Sequence, residues 1–104
     1  MLTLAEIEAA MVANPFPHAV SNPSRLHLGF LVAFPQNPDL QAIEKLEIPS
    51  EIFQLIGRVF YLYTPEGFGG SKLAASAERL LGAPMTYRNW NTVVKMAEMA
   101  RALT

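Results

Sequence analysis

Residues 51–64 read EIFQLIGRVFYLYT, and they are the most informative segment for the fold of this chain. It contains two runs rich in β-branched and aromatic residues, 51–56 and 58–64, and such runs are typical of β-strands. Gly57-Arg58 between them is a short Gly-X turn whose backbone twist matches that of two antiparallel strands. The stretch therefore predicts a β-hairpin, and a helix over residues 50–56 is the alternative.

The second run of the hairpin has an aromatic face, because Tyr61 and Tyr63 alternate with Phe60 and Leu62. Aromatic side chains on an open sheet stack nucleic-acid bases, as they do in ferredoxin-like RNA-binding domains. The more common arrangement is a sheet face covered by a helix. We expect cover here, since most of the basic residues in the second half of the chain lie on predicted helices.

The N-terminal segment predicts a helix that begins after Thr3. Thr3-Leu4-Ala5-Glu6 forms a capping box, in which Thr3 accepts from the Glu6 amide and Glu6 reaches back. Leu2 and Ile7 occupy the positions of a hydrophobic staple. The helix is expected to stop at Asn14-Pro15, because the residue before a proline is pushed out of the α region.

Between this helix and the hairpin, the sequence predicts a strand and a short helix. Residues 26–34 are largely apolar and predict a central strand with both faces buried, in which Gly29 is a weak point. Asn37-Pro38 has the pattern of a helix start, with Asn37 as the cap and Pro38 in the first helical position. That helix is expected to end before Pro49.

Two further helices are predicted after Pro65. Residues 71–81 place apolar side chains on one side, and Gly82 follows as a natural C-terminal stop. The last helix is predicted from about Thr86 to Leu103, with Trp90 as a core anchor.

The predicted order α-β-α-β-β-α-α gives one α+β domain over residues 1–104. We expect a small antiparallel or mixed sheet of about three strands, covered by helices and ferredoxin-like in character. A chain of 104 residues has room for one core of modest depth.

Composition excludes several classes of protein. The chain is 51% hydrophobic and 16% charged, yet no apolar run reaches the roughly 18–20 residues needed to span a bilayer. The N-terminus has no stretch typical of a signal peptide, so we expect a cytoplasmic protein. Cysteine is absent, which excludes disulfides and thiolate chemistry. The net charge is −1, which argues against a global basic field, although residues 67–104 carry five basic residues against two acidic ones.

Several segments resemble domain-of-unknown-function family 1697, a family of uncharacterised bacterial proteins. The resembling segments are Asn14-Pro15-Phe16-Pro17, Leu26-His27, Gly57-Arg58 before Tyr61-Leu62, Gly67 to Leu73, Glu78 to Gly82, and Thr86 to Val93. The resemblance implies that the chain is the C-terminal half of such a protein, without the N-terminal α+β half that carries its own glycine-rich segment. This chain differs from the family at one of these positions, since it has Gly70 where the family often has Arg. The family implies a fold and no established activity.

The glycine-rich turn Gly67-Phe68-Gly69-Gly70-Ser71-Lys72 is the first candidate site. Its spacing is not that of a P-loop, but three glycines let backbone amides converge at a helix start, where an anion is favoured. Lys72 and Arg88 each lie near a predicted helix start, where a cation is disfavoured unless an anion is bound. If the two starts are neighbours, one pocket for a phosphate or carboxylate contains Gly69, Gly70, Ser71, Lys72, Arg88, Asn89 and Asn91. The alternative is structural: the glycines close a turn, Ser71 caps the helix, and both cations are solvated.

Catalytic chemistry has little support in the sequence. His18 and His27 are the two histidines, and neither has a carboxylate at ligand spacing or an evident orienting acid. We therefore predict no catalytic residues, no metal and no cofactor, and interpret His27 as a packed residue of its strand. The expected function is a non-enzymatic binding module for a phosphate-bearing small molecule or a nucleic-acid backbone. The alternative is an interaction half that forms a homo-oligomer or joins a companion chain.

Overall fold

Two layers of helices enclose an antiparallel sheet in the computed structural model, which describes residues 3–103. Within that range the elements are α1 (Leu4–Val12), a 3₁₀ turn (Pro17–Ser21), β1 (Leu26–Leu31), α2 (Leu40–Leu46), β2 (Ile52–Ile56), β3 (Val59–Tyr63), α3 (Lys72–Leu81), β4 (Met85–Asn89) and α4 (Trp90–Ala102).

The sheet has the strand order β2-β3-β1-β4, and all three neighbouring pairs are antiparallel. The central path β1-α2-β2-β3-α3-β4 is the ferredoxin-like connection, with α1 added before it and α4 after it. The predicted α+β class is therefore confirmed. The sheet has four strands in the described range, where the sequence predicted about three.

The additional strand is β4, in a segment that the sequence assigned to the start of the last helix. Met85–Asn89 pairs with β1 from Leu31↔Met85 to His27↔Asn89. Exposed and half-buried side chains alternate along it, which is the period of a strand. The last helix begins at Trp90, and the Asn89 side chain caps it by accepting from the Thr92 amide. The predicted start at Thr86 was wrong because helical periodicity was carried back through a short segment that pairs with a distant strand.

Two other predicted boundaries also move. The helix α2 begins at Leu40, and its cap is Asp39, whose side chain accepts from the Ala42 amide. Asn37-Pro38 is therefore not the helix start. The strand β1 ends at Leu31 rather than Phe34, and the Phe34 side chain is 65% exposed.

Local signals in the sequence predicted other elements correctly. The capping box of Thr3 and Glu6 is present with both of its hydrogen bonds. The hairpin β2–β3 turns at Gly57-Arg58, and Gly57 has φ +58°, a left-handed conformation that favours glycine. Gly82 ends α3 in the left-handed conformation, as predicted. The proposed staple partner Leu2 lies outside the described residues.

The two faces of the sheet carry separate apolar clusters. One cluster packs α1 and α4 against β1 and β3, and it includes Ile7, Leu28 and Val93. The other packs α2 and α3 on the opposite face, and it includes Ile43, Leu62 and Leu73. Because both faces are covered, the aromatic face of β3 is core and is not available to stack bases.

On each face of the sheet, one tyrosine hydroxyl is hydrogen-bonded to a helix carbonyl. Tyr61 is fully buried, and its hydroxyl donates to the carbonyl of Ala10 at 2.6 Å. Burial raises the pKa of Tyr61 to about 12, so the hydroxyl keeps its proton and remains a donor. On the other face, the Tyr87 hydroxyl donates to the carbonyl of Ala74 in α3 at 3.2 Å. Both acceptors are helix carbonyls, so each bond fixes the position of a helix on the sheet.

Replacing Tyr61 by Phe is expected to lower the free energy of unfolding by about 1–2 kcal/mol, because the Ala10 carbonyl then loses a buried donor. Urea unfolding measures the loss. Tyr63→Phe is the matched control, since the Tyr63 hydroxyl makes no hydrogen bond within residues 3–103. Equal stability of Tyr61→Phe and wild type would contradict the anchoring role of the bond.

Candidate functional site

The glycine-rich turn connects β3 to α3, and its serine is a helix cap. Ser71 is buried, and its side chain accepts from the Ala74 amide at 3.1 Å. Gly67 has φ +120°, so this position requires glycine for its backbone. Gly69 and Gly70 are exposed, with open space where a Cβ would lie. The turn thus has structural reasons for Gly67 and Ser71, but no close approach that requires the other two glycines.

The remaining residues of the predicted pocket lie in two places. Lys72 is the first residue of α3 and is exposed. Asn89 uses its side chain to cap α4, and Asn91 is exposed in the first turn of that helix. Arg88 lies in β4, where it pairs with Leu28.

Arg88 and the glycine-rich turn belong to different sides of the sheet. Leu28, the partner of Arg88, packs in the cluster under α1 and α4, whereas Leu73, beside Lys72, packs in the cluster under α2 and α3. Lys72 begins α3, whereas Arg88 is the strand residue directly before Asn89, the cap of α4, and does not belong to the first helical turn. Anion binding by the turn itself stays a prediction.

A cavity of about 590 Å³ lies between α1 and the sheet, and Arg88 lines it. Small-molecule sites have volumes of roughly 300–1,000 Å³, so the size is sufficient for a small ligand. The wall on the helix side consists of the alanines Ala9, Ala10 and Ala13. Their small side chains leave open the space above the sheet.

The floor of the cavity is apolar and well packed. Phe30 and Tyr61 are buried residues of β1 and β3 that line it from below. Val59 and Met96 complete the apolar surface from β3 and α4. The Tyr61 hydroxyl is already bonded to α1, so this polar atom is not offered to a ligand. A ligand on this floor meets hydrocarbon and ring surface.

Charged and polar side chains stand around the cavity: Glu6, Arg58, Thr86 and Arg88. Arg58 forms a salt bridge with Glu6 at 2.8 Å and lies over the Phe34 ring. Hydrogen bonds from the backbone and side chain of Thr3, and the nearby Arg58 guanidinium, lower the pKa of Glu6. Glu6 therefore stays ionised and offsets the charge of Arg58.

Arg88 supplies a second positive charge at the cavity. Its side chain is exposed, and its Nη1 donates to the neighbouring Tyr87 carbonyl at 2.8 Å. With Arg58 offset by Glu6, the lining carries an excess of one positive charge. The arrangement favours an anionic group beside an apolar body.

No pattern in the sequence indicated the cavity as a whole. Arg88 was selected for a different reason, and Arg58 was interpreted only as part of a turn. The lining residues come from six elements, α1, β1, β2, β3, β4 and α4, and from the hairpin turn. Only the ferredoxin-like pairing of β1 with β3 and β4 brings them together.

His27 is a packed residue of β1, as predicted, and the structure places it beside the glycine-rich turn. Its ring stacks on Phe68 at 3.9 Å between centroids and meets the edge of Tyr87 at 6.3 Å. The half-buried ring leaves Nδ1 without a hydrogen-bond partner in the described structure. Burial lowers the pKa of His27, because the charged imidazolium loses hydration.

The described residues contain no group of three metal-ligating side chains placed to hold an ion. Likewise, no helix within residues 3–103 is long and apolar enough to cross a membrane.

Comparison with protein families gives a match to the family described as "Protein of unknown function (DUF1697)" over residues 1–61. The chain belongs to DUF1697. The match covers α1 through most of β3, so the glycine-rich turn and Arg88 lie outside the matched residues. No curated protein and no solved structure matches the chain. Membership of DUF1697 thus supports the predicted family and assigns no activity.

The half-buried His27 is expected to make the stability of this DUF1697 chain depend on pH. Its pKa is lower in the folded state than the ordinary 6.5, so the unfolded state binds more protons below that pH. The neutral His27 ring therefore makes its full contribution to the free energy of unfolding above about pH 6.5. That contribution is lost as the pH falls toward the lowered pKa of the folded state. We expect the melting temperature to drop between about pH 7.5 and 5.5, and to drop less in His27→Phe.

His18→Gln is the control for this measurement, because His18 is exposed and lies outside the ring cluster of His27, Phe68 and Tyr87. This variant should retain the wild-type pH dependence. If His27→Phe and wild type lose the same number of degrees, burial of His27 does not control the response.

Proposed function

We propose that this chain is a non-enzymatic binding module that holds a small amphipathic anion in the cavity between α1 and the sheet. The observation that carries the proposal is an apolar floor of suitable size with an unbalanced positive charge beside it. The ligand chemistry that fits is a short hydrocarbon or aromatic body with a carboxylate or phosphate group at one end.

The charged end of such a ligand is best placed at Arg88. This side chain is exposed and carries donors on a planar guanidinium, which suits two-point contact with a carboxylate or phosphate. The Thr86 hydroxyl lines the cavity two residues away on the same face of β4. Arg58 adds positive potential, but its salt bridge with Glu6 makes it the weaker partner.

The apolar end is best placed on Phe30, Val59 and Met96. Burying hydrocarbon there contributes about 25 cal/mol per Å² of apolar surface removed from water. A small molecule fits this concave site better than a nucleic-acid backbone does. The net charge of −1 also provides no broad basic field of the kind that holds nucleic acid.

Binding without catalysis is supported by the chemistry of the lining. Among its described residues the carboxylate of Glu6 is paired with Arg58, and the Tyr61 hydroxyl is bonded to Ala10. Neither histidine lines the cavity. A nucleophile with an adjacent base, which covalent catalysis requires, is therefore not present among these side chains.

Thermal shift and calorimetric titration with matched ligand pairs test the proposal. Each pair consists of an alkyl or aryl carboxylate, or the corresponding phosphate ester, and the neutral alcohol of the same body. We expect the anion to bind more tightly than the alcohol. Arg88→Ala should weaken anion binding by about tenfold, because a charge-assisted hydrogen bond contributes on the order of 1–2 kcal/mol.

Two further variants locate the site. Ala9→Phe fills the cavity from an exposed position on α1 and should abolish binding while leaving the fold intact. Lys72→Ala lies at the glycine-rich turn on the other side of the sheet and should leave binding unchanged. Loss of anion binding in Lys72→Ala, with retention in Arg88→Ala and Ala9→Phe, would place the anion at the turn and refute the cavity proposal.

A further inference from the structure

The edge strand β2 has the composition of a strand that pairs with another strand. Its five residues read Ile-Phe-Gln-Leu-Ile, with no charge and no proline. Natural proteins usually protect an edge strand with charges, proline, bulges or a covering segment, because its free backbone groups pair with other chains. The β2 edge lacks charge and proline, and none of its five side chains is fully buried.

The opposite edge of the sheet, β4, is protected. Arg88, the fourth of its five residues, places a charge on this strand, and the Met85 amide donates to the Glu78 side chain at 2.7 Å. At its other end β4 runs directly into α4. The two edges therefore differ, and only β2 is an apolar edge among the strands of the described sheet.

The hairpin register shows which backbone groups of β2 face outward. Ile56 and Val59 flank the two-residue turn, so they form a hydrogen-bonded pair, and the bonded pairs then alternate along the ladder. Gln54 and Ile52 consequently bond to β3. Phe53 and Leu55 point their N–H and C=O groups away from β3, toward the open edge. Within residues 3–103 no hydrogen bond from outside the sheet reaches the backbone of either residue.

The sequence of β2 is also self-complementary. In an antiparallel pairing of two β2 strands centred on Gln54, Ile52 faces Ile56 of the other copy and Phe53 faces Leu55. The outward groups of Phe53 and Leu55 then meet their counterparts and form four hydrogen bonds. We propose that two copies of this chain associate through their β2 edges into a continuous eight-stranded sheet, with the two-fold axis at Gln54.

Exposed apolar side chains near β2 support an interface at this edge. Leu40 of α2 lines a groove with Phe53 and Leu55 and is 37% exposed. Ile48, just before the strand, is 41% exposed. Phe34 lies 3.7 Å from the Cβ position at Gly57, at the turn end of the hairpin, and is 65% exposed. An apolar patch of this kind marks an interaction surface.

These observations favour a second copy of the chain as the partner of β2, because two antiparallel β2 strands match in the positions of their hydrogen-bonding groups and in the sizes of their facing side chains. One feature opposes the pairing. Glu44 of α2 and Glu47, its C-cap, line the same groove, and the two-fold axis places both copies of α2 on one face of the extended sheet. Their repulsion is screened by salt, so association should strengthen as ionic strength rises.

Cross-linking tests the register, because the natural chain contains no cysteine. In the proposed pairing the two Gln54 residues form a non-hydrogen-bonded pair, with Cα atoms about 4.5 Å apart, which is within the disulfide range. We expect Gln54→Cys to form an intermolecular disulfide under mild oxidation much faster than Gln41→Cys. Gln41 is also exposed, but it lies on α2 outside the groove. Equal rates for the two variants would overturn the pairing.

Sedimentation velocity over a concentration series tests association in the natural sequence. We expect wild type and Gln41→Lys to form dimers, and Gln54→Lys to remain monomeric because two like charges then face each other at the axis. At a concentration low enough for wild type to be monomeric, the melting temperatures of both exposed variants should match that of wild type. A monomeric wild type at every concentration, a dimer that survives Gln54→Lys, or association that weakens with added salt would overturn the proposal. Ligand binding in the cavity is measured with Arg88→Ala, so the two proposals fail separately.

Discussion

Burial of both faces of the central strands is the constraint on which the rest of this structure depends. β1 and β3 pair in the middle of the sheet, and each face of the pair must be covered by apolar side chains. A ferredoxin-like unit alone supplies two helices, α2 and α3, and both lie on the same face. The second face is covered by α1 and α4, which flank that unit in the chain. The extra helices are thus required by the apolar character of the sheet.

The cavity follows from the way α1 covers that face. The Tyr61 hydroxyl holds α1 by the carbonyl of Ala10, near the end of the helix. The α1 wall beside this anchor consists of alanines, which are too small to fill the space above Phe30 and Val59. The salt bridge between Arg58 and Glu6 fixes α1 to the hairpin at the same site. One helix is therefore firmly attached and yet leaves an apolar space beneath it, which is the property expected of a binding module.

The two proposed interactions use different parts of the same sheet. The cavity lies under α1, with Arg88 of the edge strand β4 among its lining residues, whereas self-association uses the opposite edge, β2. Charge separates the two edges as well. Arg88 is a charge on β4 that opposes strand pairing, and it is also the residue proposed to bind an anion, whereas β2 carries no charge. The family match covers β2 and the cavity residues of α1, β1 and β3, but it ends before β4 and therefore does not include Arg88.

The features that were predictable from sequence alone are local ones. The capping box of α1, the turn at Gly57-Arg58 and the Gly82 stop each depend on residues within a few positions, and each formed as predicted. The strand β4 was not predictable in this way, because Met85–Asn89 becomes a strand by pairing with β1, more than fifty residues earlier. Because of that pairing, Arg88 lies on the face of the sheet that α1 covers, away from Lys72 on the other face. Only the tertiary structure could assemble the cavity, since its lining residues are neighbours in space and not in sequence.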